Sequence, residues 1–137
     1  MATIINAVSG TGLTQSADAS GQIKIQSNGI TTNALAWVNF NGTSVTPITP
    51  RANYNISSVT KNGTGDYTLN FTNAMSDANY TITGVADAGG STIAGGVCLY
   101  TSYSPSTTSA RINSYSIGSS ANALMDKSYI NVAIFGN

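Results

Sequence analysis

From residue 34 onward, apolar and polar positions alternate with a period of two, the spacing of a chain whose successive side chains point to opposite faces of a sheet. Stretches 37–40, 54–60, 67–72, 80–85, 94–101, 110–117 and 129–135 are rich in β-branched and aromatic residues and are bounded by Gly, Asn, Ser or Pro. Seven short strands with turns between them predict an all-β chain, an antiparallel β-sandwich or barrel-like domain. Residues 61–66 and 87–91 supply the positive-φ positions of tight hairpins. Pro105 keeps 102–109 out of a central strand, and Pro47 and Pro50 mark an extended link that leads to Arg51. No amphipathic helix is legible, and residues 121–127 suffice for a turn of helix at most.

The same alternation predicts faces. Tyr67, Leu69 and Phe71 share one face and Thr68 and Asn70 the other, a buried side and a wetted side. In 129–135, Ile130, Val132 and Ile134 alternate with Tyr129, Asn131, Ala133 and Phe135, so both faces carry apolar groups. That strand is expected to be covered on both sides, by its sheet and by a neighbouring subunit. Trp37 and Phe40 fall on opposite faces, so at least one belongs to the core. Trp37 is taken as the core anchor, since large aromatics dominate burial in a lean interior.

Residues 1–33 read differently, as short stretches punctuated by Gly10, Gly12, Gly21 and Gly29. One short alternating strand, 22–26, runs toward an Asn28-Gly29 turn. Such a strand cannot stand alone, so Ile23 and Ile25 need cover from the following domain or from copies on a threefold axis. The expected division is therefore 1–33, an attachment and trimerisation segment, and 34–137, the β domain.

Composition narrows the function. Ser, Thr, Asn and Gly make up 65 of the 137 residues, and Ile, Leu, Val and Phe only 28. That is lean for a core, and a homo-oligomer would complete the burial. The chain has no His and no Glu, and its five Asp are scattered, so no group is placed for acid–base work and no enzyme is expected. Sparse, balanced charge without a basic stripe argues against nucleic acid. No apolar run approaches a membrane span and the start lacks a secretory signal, so neither membrane insertion nor export is expected. Cys98 stands alone between Val97 and Leu99 and is read as a small buried hydrophobe. No disulfide, metal or cofactor is expected. For recognition, the richest stretch is Tyr100 and Tyr103 with Ser102, Ser104, Ser106, Thr107 and Thr108, joined by Arg111. Tyr, Ser and Thr combine rigid amphipathic area with adaptable hydrogen bonding.

The run Ala36-Trp37-Val38-Asn39-Phe40-Asn41-Gly42-Thr43, with Arg51 to Val59 and then Asn62-Gly63-Thr64-Gly65-Asp66-Tyr67-Thr68-Leu69-Asn70-Phe71, resembles a module of tail-fibre and appendage proteins of tailed bacteriophages, many of them infecting cyanobacteria. The resemblance implies a homotrimeric virion protein assembled in the host cytoplasm. Its place would be a short tail fibre or fibre tip that adheres to a host cell-surface receptor, a glycan, with residues 1–33 joining it to other tail or head proteins. The rival expectation is a head decoration or tail cement protein that binds no receptor.

Overall fold

The computed structural model describes residues 25–27, 30–87, 95–100, 102, 104–117 and 123–136. Ten strands follow in chain order: β1 (Gln26–Ser27), β2 (Ile30–Thr31), β3 (Ala36–Phe40), β4 (Ala52–Tyr54), β5 (Ile56–Gly63), β6 (Asp66–Phe71), β7 (Thr81–Asp87), β8 (Gly95–Leu99), β9 (Ser109–Ser116) and β10 (Tyr129–Phe135). β1 and β2 pair as a small hairpin across residues 28–29. The other eight strands form one antiparallel sheet, in the order β4-β3-β10-β7-β8-β9-β6-β5, that curls nearly into a barrel. β7, β8 and β9 are a meander. β6 lies beside β9 and β10 beside β7, which makes two overlapping Greek keys.

The two edges of this sheet, β4 and β5, are consecutive in sequence and separated by Asn55 alone. The single predicted strand 54–60 is thus two strands with a corner between them. Asn55 takes φ 54°, a left-handed conformation that Asn tolerates better than most side chains. Its buried amide donates to the carbonyls of Leu35 and Asn73, both at 3.1 Å, and its Oδ1 accepts from the Asn73 N–H at 2.8 Å. The corner therefore ties the entry of β3 to the exit of β6. An isolated bridge between Ile48 and Val59 draws the link 41–51 onto β5 and helps close the ring.

Inward residues alternate as the pattern requires. Ala36, Val38 and Phe40, then Tyr67, Leu69 and Phe71, Ala110 and Ile112, and Ile130, Val132 and Ile134 fill the core. Phe40 meets Tyr67 edge to face at 5.1 Å and Phe71 meets Tyr80 at 5.8 Å, the arrangement aromatic quadrupoles prefer. Full burial of each large apolar side chain stabilises by about 1.5–3 kcal/mol.

One end of the barrel is strapped. Residues 123–128 are extended: Leu124 bridges Tyr115, and the Met125 N–H and Ser114 hydroxyl bond across to the Ser114 and Met125 carbonyls. Asp126 then reaches inward, accepting from the Tyr67 hydroxyl (2.6 Å), the Gly65 N–H (2.8 Å) and Lys61 Nζ (2.6 Å). Burial works to raise the Asp126 carboxyl, but these three donors outweigh it and hold it below its ordinary value. Tyr67 is displaced upward, by burial first and then by Asp126. Gly65, at φ 63°, passes under the strap where a Cβ would lie 2.5 Å from the Ser114 carbonyl.

Two expectations are corrected. Trp37 is not a core anchor: it is 40% exposed, because Ala36, Val38 and Phe40 take the inward positions of β3 and leave Trp37 and Asn39 outside. Cys98 is exposed, since Val97 faces inward opposite the buried Ser114 and its neighbours on β8 must face out. The stretch 123–127 is a strap paired with β9, with no helical turn; residues 121 and 122 lie outside the described residues. The hairpin at 61–66 forms as expected; β7 and β8 pair antiparallel, but residues 88–94, which hold nearly all of the turn expected at 87–91, lie outside the described residues. Of the early strand 22–26, only Ile25 and Gln26 are described, and Ile25 is 61% exposed.

Candidate functional site

The outward surface of the barrel divides into two chemically different halves. On β5, β6 and β9 it is a ladder of short polar groups, in which Asn70 Nδ2 donates to Ser58 Oγ and Asn62 Nδ2 to Thr68 Oγ1, both at 2.9 Å. Arg111 sits on this half, opposite Thr68. Its Nε and Nη2 grip Asp66 at 2.9 and 2.6 Å, and its guanidinium carbon lies 4.0 Å from the Tyr100 ring centre. The paired hydrogen bonds from Arg111 hold the Asp66 carboxyl below its usual range, against the effect of burial.

This geometry tells what the recognition loop read from sequence contains. Tyr100 and Arg111 do come together, but as a stack in which each occupies the other and Asp66 occupies the guanidinium fork. Ser106 Oγ accepts the N–H groups of Ser109 (3.1 Å) and Thr108 (3.3 Å), so this hydroxyl shapes its own turn. Ser104 is exposed. Tyr103 lies outside the described residues.

The other half, on β3, β10 and β7, was not read from the sequence as a recognition surface: Trp37 was placed in the core and the outer side of 129–135 against a neighbouring subunit. Register places Trp37 opposite Ala133 and Ala133 opposite Thr83; the next outward row is Asn39, Asn131 and Val85. Small Ala133 on the central strand, between Trp37 and Thr83, makes a trough. The resulting groove of about 320 Å³ is lined mainly by these outward residues. Trp37 is flanked on its other side by Tyr54 of β4. Tyr129 and Phe135 stand exposed at the two ends of β10.

The polar groups here are held in place. Asn39 Nδ2 donates to Asn131 Oδ1, and Arg51 Nη1 approaches Asn39 Oδ1 at 3.4 Å. Arg51 is itself fixed, donating to the Ser128 carbonyl at 2.8 Å and lying 4.4 Å over the Tyr129 ring. The signal that marks this face lay in the sequence: Trp37 shares its parity with Asn39, whereas three apolar residues share the other. Among the described residues no group of three His, Cys, Asp or Glu is gathered that would hold a metal ion. No family model matches this chain, and no curated protein or solved structure was found to be significantly similar to it.

Proposed function

We propose that this chain is a bacteriophage virion protein, a short tail fibre or fibre tip that adheres to a glycan receptor on the host surface and acts without catalysis. The observation that carries the reading is the exposed aromatic face on β3, β10 and β7: Trp37, Tyr54 and Tyr129 on a rigid barrel wall, with fixed amides between them. Large aromatic residues left together on the outside of a folded sheet are a feature of binding surfaces, because exposing them gives up burial that the core could have used. The sequence resemblance to phage appendage modules supplies the setting. In this reading the protein is a homotrimer and residues 1–33 join it to other virion proteins, since β1 and β2 have too little surface for a pocket of their own.

The test is competition. Purified protein added to host cells should bind them saturably and reduce adsorption of the phage particles that carry it. A protein that binds no cells and blocks no adsorption, yet labels the head or tail tube evenly in immuno-electron microscopy, would be a decoration or cement protein, and the adhesion reading would fall.

A further inference from the structure

The groove beside Trp37 has the dimensions and the chemistry of a subsite for one sugar ring. We infer that it binds a neutral hexopyranose unit, with an apolar face of the ring against Trp37 and its hydroxyls toward Asn131 and Thr83. The inference rests on the adhesion reading above and names the contact that the adhesion would use.

Size comes first. Strands in a sheet lie about 4.8 Å apart, so the walls on β3 and β7 are separated by roughly 9.5 Å, with the short Ala133 between them. The volume of about 320 Å³ is at the small end of ligand sites, room for a ring and its substituents.

Chemistry comes next. A pyranose ring offers C–H groups on one face and hydroxyls around its rim, and it is matched by an aromatic wall with amide and hydroxyl groups nearby. Trp37 supplies the wall. The Asn131 Oδ1 accepts from Asn39, whereas the Asn131 amide nitrogen and the Thr83 hydroxyl have no hydrogen-bond partner among the described residues. These two groups are therefore available to a ligand and sit on adjacent strands. Asn39 is already oriented by Asn131 and Arg51, so little side-chain freedom is lost on binding.

Charge excludes the acidic sugars. Among the described residues the cation beside the groove is Arg51, and its guanidinium is engaged by the Ser128 carbonyl and the Tyr129 ring. The ligand this site suits is uncharged.

Trp37 is the single tryptophan of the chain, so its fluorescence reports on the groove directly. The probes are glucose, galactose and mannose and the disaccharides maltose and lactose, each titrated into the full-length protein. At least one should shift or quench the emission saturably, with a dissociation constant in the millimolar range expected of one ring. Ala133→Leu, which fills the trough and retains Trp37, should weaken that binding at least tenfold at an unchanged melting temperature. Asn131→Ala should weaken it severalfold and guards against a folding defect in the first variant. Absence of a saturable response to every probe, or equal binding by Ala133→Leu, would overturn the inference. So would a drop in oligomer size of Ala133→Leu in light scattering, which would make the groove an interface between copies. If the native protein binds cells and Ala133→Leu binds them equally, adhesion stands and this subsite does not; if the native protein binds no cells, the adhesion reading itself fails.

Discussion

Replacing Asn55 tests whether the barrel is held shut at its corner. Asn55→Ala removes the amide that bonds the carbonyls of Leu35 and Asn73 and the oxygen that takes the Asn73 N–H. Each lost hydrogen bond costs about 0.5–1.5 kcal/mol, more where the abandoned partner stays buried. Alanine must also adopt φ 54°, which adds about 1 kcal/mol. The expected total is about 3–5 kcal/mol, a large part of the roughly 5–15 kcal/mol that holds an ordinary domain. Asn55→Gly loses the same hydrogen bonds but tolerates the backbone, so it should be less damaging by about 1 kcal/mol. Urea denaturation followed by far-ultraviolet circular dichroism gives both values, with the slope checking that a single cooperative transition persists. Two results would refute the reasoning. A loss below about 1 kcal/mol in Asn55→Ala would mean that the corner amide does not join the sheet edges, and equal losses in the two variants would mean that the left-handed backbone carries no strain.

Other substitutions probe the strap, the titrating pairs and the outer face. Gly65→Ala should cost about 2–4 kcal/mol, since it adds strain at positive φ and a methyl against the Ser114 carbonyl, whereas Gly63→Ala two residues away meets open space and should change stability by less than about 0.5 kcal/mol; thermal melts of the pair compare them directly. Asp66 and Asp126 both have folded-state values below their ordinary ones, so each contributes stability that is present above about pH 4 and is lost as pH falls through those lowered values. Denaturation midpoints should therefore decline in acid, and Asp126→Asn should flatten that decline while lowering the plateau. Tyr67 is shifted the opposite way, so its contribution holds below about pH 10 and fades as pH rises further; Tyr67→Phe should remove that alkaline decline. Trp37→Ala should cost only about 1–2 kcal/mol by urea denaturation, because the side chain is 40% exposed, in contrast to the 3–5 kcal/mol of a fully buried aromatic.

Period-two patterning made most of the fold legible, because each strand from β6 to β10 carries its inward residues at alternate positions and is bounded by turn chemistry, whereas β5 buries Ile56 and Val59 across a bulge. Its failures have identifiable causes. β4 and β5 fused into one predicted strand because nothing in the composition of Tyr54-Asn55-Ile56 announces a left-handed corner; Asn is common in this chain and only the fold selects this one. Alternation also tells which residues share a face without telling which face is inside. At Trp37 the size of one side chain was allowed to outvote the three apolar neighbours of opposite parity. The stack of Tyr100, Arg111 and Asp66 depends on the registers of β8, β9 and β6, set by contacts 45 residues apart between Arg111 and Asp66, and no local signal reports them. The groove on β3, β10 and β7 was hidden for the same reason, since its two walls and its floor come from three separate regions of sequence.

The position of β10 in the sheet has a consequence for how the protein is made. It is the last strand in chain order among the described residues, yet it lies between β3 and β7 and is the hydrogen-bonding partner of both. During synthesis, residues 36–40 leave the ribosome long before 129–135 exist, and at about 5–20 residues per second the wait is several seconds. Through that interval β3 has only β4 beside it, and the flank of β7 that β10 will cover is open. A chain interrupted before residue 129 would therefore lack a middle staple and could not close its core. A product that lacks this strand is left with two unpaired edges, one on β3 and one on β7, the kind of exposed strand that invites pairing with other chains.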